Sequence, residues 1–267
     1  MSLITDKYEQ RARSINSMVC IGLDSDIDRL PESFQTEEFP QFAFNKWIID
    51  QTHVYASAYK LNIAFYEART TAGWHEMQMT VEYLDSHYPD IVTICDAKRG
   101  DISSTNKGYV RAIFDVMGFD AITLNPYVGK EGLMPFLERD DKACIILCRT
   151  SNQGSDEFQQ RKLKGGKRLW QYVAEQVVTE WNENENCMLV AGATDTDDLR
   201  EMRQIAQEMT LLVPGVGTQG GSAQDVVRAG INNDGLGLII NVARDIIFNE
   251  SPADAARELR DAINFHL

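Results

Sequence analysis

Short apolar runs of strand length alternate along this chain with longer amphipathic stretches, and no other feature limits its possible folds as strongly. In the longer stretches the apolar residues recur at spacings of three and four, which is typical of helices that pack on one face. Repeated strand-helix units imply parallel strands joined by right-handed crossovers. The candidate strands are residues 18–23, 58–63, 91–95, 121–124, 143–147, 187–191, 211–213 and 236–240.

Eight such units within 267 residues predict an α/β protein, a (β/α)8 TIM barrel, in preference to an open doubly wound sheet. No linker, low-complexity tract or shift in composition marks a second domain. We therefore expect residues 1–267 to form one barrel domain. The longest polar stretch, SNQGSDEFQQRKLKGGK at residues 151–167, is interpreted as a mobile loop between the fifth strand and its helix.

The charge balance excludes some classes of partner. Asp and Glu total 40 against 26 Lys and Arg, which gives a net charge of -14, so we expect no nucleic-acid partner. No apolar run reaches the length of a membrane span, and the first residues are too polar for a secretory signal. We expect no membrane association and a cytoplasmic location. The five cysteines have no CxxC spacing and are odd in number, which favours packed, reduced thiols over disulfides or a zinc site.

A barrel of this type places its functional residues just after its strands, at the carboxyl-terminal rim. Polar and charged residues stand at that position after most of the predicted strands, which supports both the fold and a site at the rim. They are Asp24, Lys60, Asp96, Lys98, Asn125, Thr150, Ser151 and Arg244, with Pro214 and a glycine-rich segment after the seventh strand.

The densest group of charges follows the third strand, in the stretch ICDAKRGDISST at residues 94–105. If the strand continues through Lys98, strand alternation puts Asp96 and Lys98 on one face, and Gly100 allows a turn that returns Asp101 to a nearby site. Neighbouring carboxylates favour the charged form of Lys98, so it suits a cation and proton donor better than a Schiff-base lysine. A metal site is a weaker interpretation, because the lysine competes with a cation. The remaining alternative is an ordinary surface ion pair at a strand end.

The segment GVGTQG at residues 215–220 formally matches a dinucleotide-binding fingerprint, but it comes late in the chain instead of in a first βαβ unit. Loops after the seventh and eighth strands of a barrel commonly bind phosphate through backbone N–H groups. We therefore predict a phosphate site here, with Arg244 as a charged donor and Gln219 closing over it. The alternative is a tight glycine turn next to a solvated arginine.

Six blocks of sequence together resemble orotidine 5'-phosphate decarboxylases, in the longer bacterial-type branch. They occur in the same order and span nearly the whole chain. The blocks are GLD at 22–24, YKLNIAFYEA at 59–68, DAKRGDI at 96–102, RTSN at 149–152, LVAGAT at 189–194 and VPGVGTQGG at 213–221.

The resemblance implies a homodimeric barrel that converts orotidine 5'-monophosphate (OMP) to uridine 5'-monophosphate (UMP) and carbon dioxide, without metal or cofactor. It implies that Lys98 stabilises and protonates the ring carbanion that remains when carbon dioxide leaves, and that Asp96 holds Lys98 beside the departing carboxylate. Asp101 is implied to reach the site of the neighbouring subunit, with Thr105 following it to the ribose.

The binding residues implied by the resemblance surround the nucleotide from ribose to phosphate. They are Asp24 and Lys60 at the ribose and in the charged network, Ser151 at the pyrimidine, Asn125 and Thr150 at the rim, and Pro214, Gln219 and Arg244 at the phosphate. The sequence departs from the family pattern in two places. Val242 and Ala243 replace small or hydroxyl residues, and Gln153 stands where proline is frequent.

Two rival functions remain open. One is a magnesium-dependent sugar-phosphate decarboxylase of the same superfamily, which resembles this chain in its D-x-K-x-x-D spacing. The other is a barrel that binds the nucleotide without catalysing a reaction. The RTSN block and the long loop after the fifth strand favour the nucleotide decarboxylase over the first rival. The intact Asp96, Lys98 and Asp101 argue against the second.

Overall fold

The structure is a computed structural model that describes residues 3–217 and 221–267. Within those ranges eight parallel strands close into a barrel in sequence order, and β8 pairs with β1. The predicted (β/α)8 barrel is confirmed. The strands are β1 (Val19–Gly22), β2 (Ala58–Asn62), β3 (Val92–Arg99), β4 (Ala121–Leu124), β5 (Ala143–Arg149), β6 (Cys187–Ala191), β7 (Leu211–Pro214) and β8 (Leu238–Val242).

Helices lie between the strands and around the outside of the barrel. They are α1 (Leu3–Ile15), α2 (Glu32–Gln35), α3 (Pro40–Thr52), α4 (Ala64–Glu67), α5 (Thr70–His87), α6 (Ser103–Val110), α7 (Gly129–Leu137), α8 (Leu169–Gln176), α9 (Thr196–Ala206), α10 (Ala223–Gly230), α11 (Arg244–Ile247) and α12 (Pro252–Asn264). Single π-helical segments continue α6 and α8, at Arg111–Val116 and Val177–Trp181.

Helix α1 closes the amino-terminal end of the barrel. The Tyr8 hydroxyl donates to the carbonyl of Leu238 at the start of β8, and Lys7 forms an ion pair of 2.7 Å with Asp120, just before β4. These contacts seal one end of the barrel with a helix, so the carboxyl-terminal rim is the end at which a ligand can enter.

The core is continuous between the barrel and its helices. Large buried side chains such as Tyr59, Tyr66 and Trp170 belong to it. All five cysteines are buried and free, in agreement with the prediction of packed thiols. In the ranges that the structure describes, no helix combines the length and the apolar character needed to cross a membrane.

Strand β3 is longer than its apolar pattern predicts. The sequence places the end of the strand at residue 95, whereas the observed strand continues to Arg99 and carries Asp96 and Lys98. The charged residues are therefore part of the barrel wall and not of a loop that follows it. A place in the barrel wall restricts where their side chains can point, which is what a preorganised site requires.

Candidate active site

Four charged side chains of alternating sign form a row at the carboxyl-terminal rim. The Asp96 carboxylate binds Lys60 through Oδ2, at 2.8 Å from Nζ, and Lys98 through Oδ1, at 2.7 Å. Lys60 Nζ also lies 3.9 Å from Oδ1 of Asp24. Because β1, β2 and β3 are adjacent in the barrel, their ends bring together residues that are far apart in the sequence.

Burial and the neighbouring charges shift the pKa values of Asp96 and Lys60 in this row. Burial alone would raise the pKa of Asp96, but the ammonium groups of Lys60 and Lys98 outweigh it and hold the pKa of that carboxyl well below its usual range. Burial alone would lower the pKa of Lys60, but Asp96 and Asp24 outweigh it and raise that pKa above its usual value. Asp96 and Lys60 are therefore both charged at neutral pH.

Lys98 is the open end of the row. Its side chain is 51% exposed, compared with 5% for Lys60. The ammonium group of Lys98 is thus held by Asp96 on one side and is accessible from the barrel mouth on the other. That position suits a group that meets a ligand, whereas Lys60 is placed to neutralise and orient Asp96.

The backbone of Lys98 leaves the extended conformation of the strand. Its φ angle is +48°, in the left-handed region that residues other than glycine seldom adopt. Simple alternation along β3 therefore predicts the right pair of side chains, Asp96 and Lys98, but not the conformation that brings them together. The Lys98 N–H donates to Oγ1 of Thr123, on β4, at 2.9 Å.

Asp24 is fixed by buried hydrogen bonds on both sides. The Tyr66 hydroxyl donates to the Leu23 carbonyl at 3.0 Å and accepts from the Ser25 hydroxyl at 3.2 Å. Oδ1 of Asp24 is buried and has no hydrogen-bond partner among the described residues. A buried acceptor without a donor is unfavourable, and at the edge of a cavity it is suited to a ligand hydroxyl.

A cavity of about 500 Å³ extends from Asp24 across the rim to the ends of β5, β7 and β8. Its lining includes Ser151 after β5, the backbone of Gly215 and Gly217 after β7, and Arg244 at the start of α11. The structure therefore brings Asp24, Ser151 and Arg244, which the sequence separates by more than two hundred positions, to one opening. This volume accommodates a small organic ligand.

The part of the cavity formed after β7 and β8 has the features of an anion site. Gly215 and Gly217 have φ angles of +87° and +138°, which an L side chain seldom adopts, so this turn depends on glycine. The Arg244 side chain is exposed and forms no ion pair with the described residues. Gln219, the other predicted phosphate ligand, lies outside the described residues.

Three of the predicted ligand-binding residues form hydrogen bonds with other residues of the chain. The Asn125 side chain accepts from the N–H of Tyr127 at 3.1 Å and so caps a short 3-10 turn. Thr150 Oγ1 is bonded to Asn152 and Gln159, at 2.7 and 2.8 Å. Pro214 ends β7, and its carbonyl accepts from Ala193 N–H at 3.2 Å. These residues shape the rim, and their contacts with a ligand stay a prediction.

Asp101 and Thr105 lie apart from the charged row. Oδ1 of Asp101 accepts from the N–H of Ile102 at 2.7 Å, and Thr105 is exposed on α6. Within the described part of the chain, neither side chain bonds to Asp96 or Lys98. Ile102, which follows Asp101 in the chain, is an apolar residue that is 63% exposed.

The chain matches the model of the orotidine 5'-phosphate decarboxylase / HUMPS family over residues 17–259. The chain belongs to this family. It is 48% identical over 240 residues to orotidine 5'-phosphate decarboxylase of Christiangramia forsetii, covering 90% of this chain and 87% of that one. The match bears out the resemblance that the six sequence blocks indicate.

Solved structures from the same family have the same barrel. The OMP decarboxylase of Leishmania donovani superposes with a TM-score of 0.87 at 36% identity and 99% coverage of both chains. The UMP synthase of Leishmania donovani superposes with a TM-score of 0.90 at 38% identity, and this chain spans 56% of that longer one.

The structure also shows two residues near the site that sequence analysis did not identify. Thr123 contacts both Lys98 and Asp96, and its only signal is a hydroxyl residue within the buried run AITL. Arg149, in the RTSN block, forms a buried ion pair of 2.7 Å with Asp198 on α9. Charge at a buried strand end is the signal for Arg149, but nothing in the sequence identifies its partner.

Among the described residues no group of three or more His, Cys, Asp or Glu side chains is arranged to hold a metal ion.

Proposed function

We propose that this chain decarboxylates OMP to UMP and carbon dioxide in pyrimidine synthesis, with Lys98 as the catalytic cation and proton donor. The observation that carries the proposal is the Lys60–Asp96–Lys98 row at the mouth of a barrel of this family. Loss of carbon dioxide leaves a carbanion on the pyrimidine ring, and an ammonium group aimed at that carbon lowers its energy and then protonates it.

Asp96 has two functions in this proposal. It binds Lys98 Nζ at 2.7 Å, so the ammonium group is oriented before the substrate arrives. It also remains ionised, because the two lysines keep its pKa low, and so presents negative charge next to the departing carboxylate. We assign the greater part of the catalytic effect to preorganisation of Lys98, because the lysine acts where negative charge develops in the transition state.

The rest of the nucleotide fits the cavity from the charged row to the glycine loop. The buried Oδ1 of Asp24 suits a ribose hydroxyl, and Ser151 suits a polar edge of the pyrimidine. The exposed guanidinium of Arg244 and the backbone of the Gly215 turn suit the 5'-phosphate, with Gln219 closing over it. Binding energy from the phosphate can then assist the reaction at the ring.

The enzyme is proposed to be a homodimer in which Asp101 completes the site of the partner subunit, followed by Thr105 at the ribose. Among the described residues Asp101 forms no ion pair with Lys98 of its own chain, which supports this assignment. Ile102, next to Asp101 in the chain, has a large exposed apolar side chain, which suits an interface. We also propose that the enzyme acts in the cytoplasm.

Shared sites predict recovery of activity in mixed dimers. Lys98→Ala and Asp101→Ala dimers should each be inactive, whereas a mixed dimer has one site with both Lys98 and Asp101 intact. Random pairing of equal amounts should restore about a quarter of the native sites. The measurement is OMP turnover after co-expression of the two variants with different affinity tags.

The matched control pairs Lys98→Ala with Asp96→Asn. Both of these residues belong to the same half of the site, so no mixed site is intact and no activity should return. Absence of recovery in purified Lys98→Ala/Asp101→Ala heterodimers contradicts the sharing of Asp101.

The decarboxylation itself is tested by the change in absorbance of OMP with purified protein in EDTA. We expect rapid conversion to UMP, because the proposed chemistry uses only the charged side chains of the chain. No conversion in EDTA, followed by magnesium-dependent decarboxylation of a sugar-acid phosphate, would assign the chain to the rival enzyme class. Tight UMP binding without turnover of either substrate would instead indicate a nucleotide-binding barrel.

A further inference from the structure

We propose that Thr123 is a positioning residue for the reaction, and that its hydroxyl sets both the backbone and the ammonium group of Lys98. The inference rests on the proposed function, since it concerns the proton donor of that reaction. Thr123 lies on β4 and is buried, with 1% of its surface exposed, whereas the side chain of Lys98 is half exposed. Thr123 acts through Lys98 and Asp96 and not by touching a ligand.

The hydroxyl of Thr123 connects the two ends of Lys98. It accepts from the Lys98 N–H at 2.9 Å and donates to Oδ1 of Asp96, also at 2.9 Å. The same Oδ1 binds Lys98 Nζ at 2.7 Å. A backbone N–H can only donate and an ionised carboxylate can only accept, so both hydrogen-bond directions at the hydroxyl are determined.

The pairing between β3 and β4 is irregular at this point, and the irregularity leaves the Lys98 N–H to bond to the Thr123 hydroxyl. Cys95 pairs with Ile122, and the next pair is Arg99 with Leu124. Three residues of β3, numbers 96 to 98, therefore lie opposite the single residue Thr123. A bulge of this kind re-aims a side chain at the expense of the regular ladder. The Lys98 N–H takes the Thr123 side chain as its partner in place of a β4 carbonyl.

The left-handed backbone of Lys98 depends on the same contact. A φ angle of +48° is unfavourable for lysine and persists only where surrounding contacts hold it. Without the Thr123 hydroxyl the Lys98 N–H has no acceptor, and Oδ1 of Asp96 keeps only the lysine as a donor. Both losses favour relaxation of residues 96–98, which moves Nζ relative to the substrate.

The test compares Thr123→Val, which keeps the shape and removes the hydroxyl, with Thr123→Ser, which keeps the hydroxyl. We expect Thr123→Val to lower kcat roughly 10- to 100-fold, because small displacements of a reacting group have effects of that order. The dissociation constant of UMP should change less than about threefold, since the ribose and phosphate contacts are unaffected. Thr123→Ser should retain most of the native kcat.

Thr210→Val is the matched control. Thr210 is also a buried threonine, just before β7, but its hydroxyl has no hydrogen-bond partner among the described residues. The same substitution there should leave kcat unchanged. If Thr123→Val does not fold, Thr123→Ala removes the same hydroxyl without placing a methyl group against the Asp96 carboxylate, and it carries the same expectations.

Three results overturn the inference. They are a kcat for Thr123→Val within twofold of native, a Thr123→Ser variant as slow as Thr123→Val, and a loss of UMP binding that parallels the loss of kcat. The activity of the native protein distinguishes a failure of this inference from a failure of the proposed function. If the native chain does not convert OMP, the proposed function fails. If the native chain converts OMP and Thr123→Val is equally fast, only the positioning role of Thr123 fails.

Discussion

The Lys98→Ala variant should lose OMP decarboxylation by at least about 10⁴-fold while it still folds and binds UMP. The magnitude combines the loss of a proton donor, which contributes about 10²-fold or more, with the loss of a charge aimed at the developing carbanion, of similar size. Removal of Lys98 leaves Asp96 paired with Lys60 at 2.8 Å, so no buried charge becomes unpaired. Unfolding should therefore be little affected.

The measurements for Lys98→Ala are kcat for OMP, the dissociation constant of UMP and the midpoint of thermal unfolding. Lys46→Ala is a matched control, because Lys46 is also about half exposed and also binds a carboxylate, that of Asp50, at 2.6 Å. It lies on α3, outside the cavity lining, and its loss should not change kcat. Retention of more than about 1% of the native kcat by Lys98→Ala would remove the lysine from the role of proton donor.

Arg244→Ala provides a contrast within the site. Arg244 lines the cavity at the start of α11, whereas Lys98 belongs to the charged row that reaches the cavity through Asp24. Arg244 is proposed to bind the phosphate. Its loss should mainly lower kcat/KM for OMP, because substrate capture depends on the phosphate contact. A variant that affects capture and a variant that affects the chemical step would then separate binding from proton transfer along one cavity.

Much of the barrel could be predicted because its pattern is local. The runs at residues 121–124 and 187–191 coincide with β4 and β6 as observed, since both are mainly apolar, follow a polar residue and end before an Asn or a Gly. The extension of β3 to Arg99 could not be read from apolarity, because its last residues are charged. The pairing of β2 with β3, including Asn62 with Asp96, maintains the strand there.

The charged row could be predicted in part. The spacing of Asp96 and Lys98 indicates that their side chains lie close together, and the end of β2 indicates Lys60. The left-handed backbone of Lys98 and its partner Thr123 could not be predicted, because both follow from the register between β3 and β4. Register depends on contacts between residues that are distant in sequence, and local patterns do not contain them.

The loop after β5 is a second case in which contacts between residues distant in sequence could not be predicted. Its polar sequence predicts a mobile segment, yet Gln160 within it and the two arginines that flank it bind one carboxylate of α9. Oδ2 of Asp198 binds Arg149 Nε at 2.7 Å and Gln160 Nε2 at 2.6 Å, and Oδ1 binds Arg168 Nη1 at 2.8 Å. Arg149 ends β5, directly before Thr150 and Ser151. The carboxylate of Asp198 thus fastens both ends of this loop beside the cavity.

The Asp198→Asn variant should therefore lose stability and loosen the loop that carries Ser151. Asp198 is 3% exposed, and the substitution keeps its shape but leaves the buried Arg149 and the partly buried Arg168 without the counter-charge that they share. Their remaining carboxylate partners, Asp156 and Glu201, are much more exposed. Breaking a buried ion pair on one side costs about 3 to 5 kcal/mol. For a chain of this size that corresponds to a fall in the thermal midpoint of roughly 6 to 20 °C.

Asp197→Asn is the matched control, one residue earlier on the same helix. Asp197 is 86% exposed and, within residues 3–217 and 221–267, pairs only with Arg200, at 2.6 Å, within one helical turn. A pair of this kind contributes less than about 1 kcal/mol, so the same substitution should hardly change the unfolding midpoint. Thermal unfolding with and without UMP measures both variants. If Asp198→Asn unfolds within about 2 °C of Asp197→Asn, the buried carboxylate does not hold the loop, and Ser151 must be positioned by other contacts.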